Sequence, residues 1–167
     1  MKKKYKKKGG IKLMNIDPQW IVGFVDGEGC FYVGVLKSNK LKYGYQIQPE
    51  FTVVQHELDI NVLHALKDYF QVGVVQVNHG DRYAYRVKNL DHFLNVIIPF
   101  FETHKLKTKR RVEFLRFRKI CLLLKAGRHL ESEEGFSEVL TLAKNLRINK
   151  NNSKIYEEEL LSLGKDV

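Results

Sequence analysis

Trp20-Ile21-Val22-Gly23-Phe24-Val25-Asp26-Gly27-Glu28-Gly29 sets the fold of this chain. It is an apolar helical stretch that ends abruptly in two carboxylates interleaved with glycines. Asp17-Pro18 precedes it, an N-cap acid followed by proline at the first helical position. Gly27 and Gly29 are expected to stop the helix. Gly23 and Gly27 are four residues apart and share one helical face, which lets another backbone approach closely. If that backbone is the same helix of a second copy, two-fold symmetry brings two Glu28 carboxylates together. Paired carboxylates at the end of a tight helix pair make a place for divalent metal.

Downstream the periodicity changes from helical to alternating. Phe31, Val33 and Val35 share one strand face, with Cys30, Tyr32 and Gly34 on the other. The turn-like stretch Ser38 to Gly44 leads to a second strand, where Ile47, Phe51 and Val53 alternate with Gln46, Gln48, Glu50 and Thr52. Pro49 lacks a ladder donor, so the strand is bulged there or has that side free. Residues 57–70 read as a helix through Leu58, Val62, Leu66, Tyr69 and Phe70. A second hairpin follows, Val74 to Asn78 and Tyr83 to Lys88, turning at His79-Gly80-Asp81. Asn89 can cap a third helix through Phe93, Ile97 and Phe101. A further helix is expected to reach Lys125 and end at Gly127. Ser132 can cap the next, through Phe136, Val139 and Leu146. A polar linker, Asn149 to Ser153, precedes a short helix from Lys154 to Leu163. The pattern is an α-β-β repeat plus a helix, which implies an α+β fold: one antiparallel sheet with helices on one face.

The chain has 167 residues, 44% hydrophobic and 11% aromatic, enough for one domain with a real core. Cys30 and Cys121 are too few for a disulfide framework, and no Cys/His cluster has zinc spacing. No run is long and apolar enough to span a membrane, and no apolar segment follows the N-terminal lysines, so no secretion signal is expected. The net charge of +10 points to nucleic acid. Residues 1–13 carry seven lysines and no acid, and residues 102–129 carry ten basic side chains against two acidic ones. The remaining segments are weakly acidic. Residues 1–13 are expected to be a disordered basic tail, either a non-specific DNA arm or a solvated end. Met14 is a candidate alternative start, and residues 14–148 form the expected domain.

One sheet face reads Tyr32, Gln46, Gln48, Glu50, Thr52, Gln76, Asn78, Arg86 and Lys88, with few self-neutralising ion pairs expected; Arg82 joins it. Gln and Asn can address adenine edges, Arg and Lys guanine, in a major groove wide enough for a β-ribbon.

The stretch Ile21 to Gly29 resembles the LAGLIDADG motif of homing endonucleases, with Ile-Val at its start in place of Leu-Ala. The resemblance covers roughly residues 16–148. It implies an α-β-β-α-β-β-α fold whose saddle-shaped sheet lies along the major groove of double-stranded DNA. A single motif implies a homodimer on a pseudo-palindromic site, with Ile21, Val22, Gly23 and Phe24 at the interface. It further implies metal-dependent phosphodiester hydrolysis with Mg2+, for which Mn2+ can substitute while Ca2+ supports binding without cleavage. Glu28 would hold the ion with the Gly27 carbonyl, and Asp26 would cap or orient local backbone. Gln55, in Phe51-Thr52-Val53-Val54-Gln55, matches a family glutamine that orders solvent near the scissile phosphate. Lys107, in Lys105-Leu106-Lys107-Thr108-Lys109, matches a lysine that stabilises charge there. Two residues are inserted before this run relative to the family pattern, so Lys105 and Lys109 rival it and otherwise contact phosphates. The leading expectation is a site-specific, intron- or intein-associated endonuclease, located in an organelle on family grounds alone. An RNA-binding intron maturase and a catalytically inactive DNA binder are the alternatives.

Overall fold

The computed structural model describes residues 14–147. The basic tail, the polar linker and the helix from Lys154 lie outside the described residues. The chain runs α1 (Pro18–Glu28), β1 (Gly29–Lys37), β2 (Tyr45–His56), a 3-10 turn (Glu57–Asp59), α2 (Ile60–Phe70), β3 (Val74–His79) and β4 (Arg82–Val87). Then come α3 (Leu90–His92), a π turn (Phe93–Ile97), α4 (Ile98–Thr103), α5 (Arg110–Lys125), α6 (Arg128–Glu131) and α7 (Glu133–Lys144). The expected α-β-β-α-β-β-α order is therefore present, with additional helices after it.

The caps form where the sequence places acceptors. Asp17 accepts from the Gln19 amide at 2.7 Å, Asn89 from the His92 amide at 3.1 Å, and Ser132 from the Gly135 amide at 3.0 Å. The end of α1 differs from expectation. Gly27 lies inside the helix, and the stop falls at Gly29, whose backbone is extended rather than left-handed. Glycine is needed there for space: a Cβ would meet the Val25 side chain at 2.6 Å and its carbonyl oxygen at 2.7 Å. The third helical stretch holds Pro99, which has no N–H to close an α ladder. The chain makes its π turn immediately before it.

The four strands form one antiparallel sheet in the order β1-β2-β4-β3. The β1–β2 register is continuous through Pro49, opposite Val33, so no bulge is present. Pairing with β4 begins only at Phe51, which leaves the other side of Pro49 without a ladder partner to miss. The irregularity falls instead in β3, between Val77 and His79.

Odd-numbered strand residues face the helices. Phe31 stacks on Phe51 at 4.9 Å and meets Phe117 and Phe114 of α5 at 5.2 and 5.5 Å. Leu63, Leu66 and Phe70 of α2, Phe101 of α4 and Tyr85 of β4 complete this core. Each such side chain contributes about 1.5–3 kcal/mol by leaving water. Burial in this way leaves the even-numbered face of the sheet to whatever lies outside.

Candidate catalytic edge and nucleic-acid interface

Asp26 and Glu28 sit on the last turn of α1, two residues and hence roughly 200° apart around the helix. Asp26 is committed to the protein. Its carboxylate accepts from the Lys107 amide at 2.9 Å, the Thr108 amide at 3.1 Å and the Thr108 hydroxyl at 2.8 Å. The expected supporting role thus takes a specific form: Asp26 staples the lysine-rich segment to the end of α1. Leu106 is buried between the exposed Lys105 and Lys107, which fixes the alternation of this segment. Thr108 also accepts from the Arg110 amide at 3.2 Å, at the start of α5. Thr108 stands one residue before the N-cap position of α5, which Lys109 occupies without a side-chain cap, and the sequence offered no sign of its bond to Asp26.

Glu28 is exposed, as is Gly27. Among the described residues, no group of three His, Cys, Asp or Glu side chains converges on a common point. One chain therefore offers the Glu28 carboxylate and the neighbouring Gly27 carbonyl, both hard oxygen donors of the kind that Mg2+, Mn2+ and Ca2+ prefer. Gly29 pairs with Val53, so Gln55 lies about 7 Å further along β2, beside the last turn of α1. Its side-chain oxygen accepts from the His56 amide at 2.9 Å. His56 is structural: its ring meets Asp81 at 2.9 Å and accepts from the Leu58 amide at 3.1 Å, tying β2 to the β3–β4 turn.

The even-numbered face carries the expected polar set, with one correction. Glu50 is ion-paired with Arg86 at 3.4 Å and with Lys88 at 3.3 Å, and Arg86 also donates to Asn78. The centre of this face is therefore a partly neutralised network, one acid against two bases, rather than a set of unpaired groups. Arg86 on β4 and Lys88 just past its end reach back to the only acid on the neighbouring strand, which the sequence alone does not align. Tyr32, Gln46, Gln76 and Arg82 are exposed, and Gln48 is half-buried. The Thr52 hydroxyl is buried without a protein partner, opposite Arg86. Cys30 shares this face, and the Arg147 guanidinium reaches its thiol at 2.7 Å, which holds Arg147 protonated still more firmly. Arg147 was not anticipated, because nothing in its local sequence says that the chain after α7 returns to the β1 edge.

The central basic segment is less cationic than its sequence. Arg110 pairs with the buried Glu113 at 2.7 Å, Arg118 with Glu102, Lys125 with Asp91 at 3.3 Å, and Arg128 with Glu131 and Glu138 at 3.0 and 3.3 Å. Lys105, Lys107 and Lys109 stay exposed. Elsewhere, burial pushes the Cys121 thiol up to about 12 and raises the Tyr85 hydroxyl, which donates to the Val72 carbonyl at 3.0 Å. Burial also lowers His129. Tyr85 and Cys121 belong to the core, and His129 is half-buried at the short α6 helix.

Of the four residues expected at a dimer interface, Ile21 and Val22 are 0% and 2% exposed within their own core and present no surface to a second copy. Helical periodicity turns them inward, onto β1 and β2. The surface of α1 is instead Trp20, Gly23 and Gly27, with Trp20 stacked on the half-buried Phe24 at 4.8 Å. A Cβ added at Gly23 or Gly27 meets nothing within 4 Å.

The model of the LAGLIDADG endonuclease family matches residues 21–121, from α1 through most of α5. The chain belongs to the LAGLIDADG endonuclease family. The LAGLIDADG chain is similar to probable intron-encoded endonuclease 2 of Neurospora crassa, with 32% identity over 127 residues, 75% of this chain and 28% of that protein. It thus spans about a quarter of the length of such curated relatives. Its fold matches the crystal structure of the homing endonuclease I-TnaI with a TM-score of 0.77 and 46% identity, over 87% of this chain and 99% of that one. It also matches I-SmaMI, a LAGLIDADG homing endonuclease, bound to an uncleaved DNA target in the presence of calcium ions. The TM-score there is 0.77 at 26% identity, over 86% of this chain and 49% of that one.

Proposed function

We propose that this chain is a site-specific, intron-encoded DNA endonuclease that works as a homodimer, with Mg2+ as its ion. The observation that carries the reading is the Asp26 staple, which ties a lysine run to the last turn of α1, the turn that also carries the exposed Glu28. In this reading the even-numbered face lies in the major groove. Tyr32, Gln46, Gln48, Thr52, Gln76, Asn78, Arg82, Arg86 and Lys88 meet base edges and phosphates. Arg86 and Lys88 do so after exchanging Glu50 for DNA, so Glu50 tunes the charge of the face rather than reading bases.

The second copy supplies what one chain lacks. The bare stripe of Gly23 and Gly27 lets two α1 helices meet closely and brings two Glu28 side chains to one phosphate region. Glu28 and the Gly27 carbonyl would hold the divalent ion, which when bound supplies charge neutralisation at phosphorus and an activated water. Gln55 orients solvent beside the scissile phosphate, its carboxamide held by the His56 amide. Lys107 stabilises negative charge developing there, and Lys105 and Lys109 hold the flanking backbone. Binding affinity comes mostly from the phosphate contacts, and cleavage from this edge.

Incubating the purified protein with a duplex that spans the intron-insertion site, with and without Mg2+, tests the reading. Metal-dependent double-strand cleavage within that site is expected. Binding of the same site with no cleavage at any metal concentration would leave a DNA-binding protein. Preference for the intron RNA would favour a maturase.

A further inference from the structure

The β1–β2 hairpin tip is clamped to a helix that lies outside the four-strand repeat. The Tyr43 ring stacks on Phe136 of α7 at 5.1 Å, and Tyr45 extends the stack at 6.4 Å. Phe136 is 9% exposed and lies beside Gly135, where a Cβ would strike the Arg128 carbonyl oxygen at 2.3 Å. The start of α7 is therefore locked against α6, and Phe136 is a fixed post. The tip itself is closed by three backbone bonds: Ser38 amide to Gly44 carbonyl at 2.9 Å, Leu41 to Ser38 at 3.2 Å, and Gly44 to Leu41 at 2.9 Å. Its side chains are basic and polar apart from the exposed Leu41 and the stacked Tyr43. Between Glu28 and Glu50 the chain has no acid, and the exposed Lys40 and Lys42 stand at the tip, Lys42 over the Tyr43 ring at 5.0 Å.

We infer that Phe136 of α7 is a positioning residue for DNA recognition: through Tyr43 it holds the hairpin tip so that Lys40 and Lys42 grip the outer flank of the target. This rests on the endonuclease reading. The distance fits that task. From Gly29 to Lys37, β1 extends about 26 Å at 3.3 Å per residue. At about 3.4 Å per base pair, that places the tip roughly eight base pairs from the α1 edge. An unclamped two-stranded tip of this length would wave, and ordering it on DNA would cost conformational entropy. The aromatic stack removes part of that cost in advance.

The test compares two duplexes: a long target, and one trimmed to about six base pairs on each side of the cleavage centre, short of the tip's reach. Wild-type protein is expected to bind the long duplex more tightly. In Phe136→Ala the long-to-short affinity ratio falls toward one, and the salt slope on the long duplex drops by about one to two units. Phe136→Tyr, which keeps the stack, restores the ratio. Should Phe136→Ala fail to fold, Tyr43→Leu on the half-exposed hairpin side is expected to give the same collapse. The double variant Lys40→Ala/Lys42→Ala is expected to match it. Equal weakening on both duplexes, or an unchanged ratio in the lysine double variant, overturns the inference. Loss of all duplex binding by the wild type overturns the endonuclease reading itself, a separately visible outcome.

Discussion

Replacing Asp26 by alanine removes three hydrogen bonds at once, from the Lys107 amide, the Thr108 amide and the Thr108 hydroxyl. Each goes to a charged acceptor, but all are solvent-accessible, so about 0.5 kcal/mol apiece is appropriate and the fold loses about 1.5 kcal/mol. The larger effect falls on rate. Freed from α1, the backbone carrying Lys107 shifts, and a misplacement of about 1 Å costs about 100-fold in a positioned reaction. Lys107→Ala removes the charge outright and is expected to cost about 100- to 1000-fold. If Asp26 acts only by holding Lys107, the double variant Asp26→Ala/Lys107→Ala should cleave no more slowly than Lys107→Ala alone. Single-turnover cleavage at saturating enzyme measures this, with thermal melts confirming a folded protein. Asp26→Asn, which keeps one carbonyl acceptor, should fall between wild type and Asp26→Ala. Multiplicative losses in the double variant would refute the reasoning, and an accompanying rise in the Mg2+ requirement would make Asp26 a metal ligand. A large rate defect in Lys105→Ala or Lys109→Ala, with little in Lys107→Ala, would move the role along the run.

Glu28→Gln should abolish cleavage while leaving duplex affinity nearly intact, since phosphate contacts supply most of the affinity; gel-shift and cleavage assays on one preparation decide it. Gly23→Leu should leave the protomer folded, because a Cβ there meets nothing within 4 Å, yet prevent dimer formation. Sedimentation of a folded, undiminished dimer would remove Gly23 from the interface. Glu50→Gln should release Arg86 and Lys88, strengthening non-specific binding and steepening the salt dependence by about one unit. Arg86→Ala should relax base preference at particular positions by about 1–3 kcal/mol, and a uniformly weakened but unchanged cleavage profile over a randomised library would make it a phosphate contact.

Much of the architecture is written in short-range pattern. Asp17, Asn89 and Ser132 start helices because each puts an acceptor against orphan amides one turn ahead. Phe31, Phe51 and Tyr85 declare the buried face because strand side chains alternate with period two. The motif at the end of α1 names the family because it joins glycines on one helical face to acids at one helix end. Even the order of helices and strands follows from these local choices.

What only the tertiary structure decided is which groups those elements bring into reach. Asp26 finds Lys107 and Thr108 across 81 and 82 residues, and Arg147 finds Cys30 across 117. Glu50 meets Arg86 and Lys88 because β2 lies between β1 and β4, an order no strand announces by itself. Ile21 and Val22 look identical to interface residues in the motif, and their own sheet claims them. Local sequence fixes backbone conformation and which face is apolar, since both depend on neighbours within a turn or two. The pairing of charges and acceptors depends on how whole elements cross, and that is settled only when the common core closes.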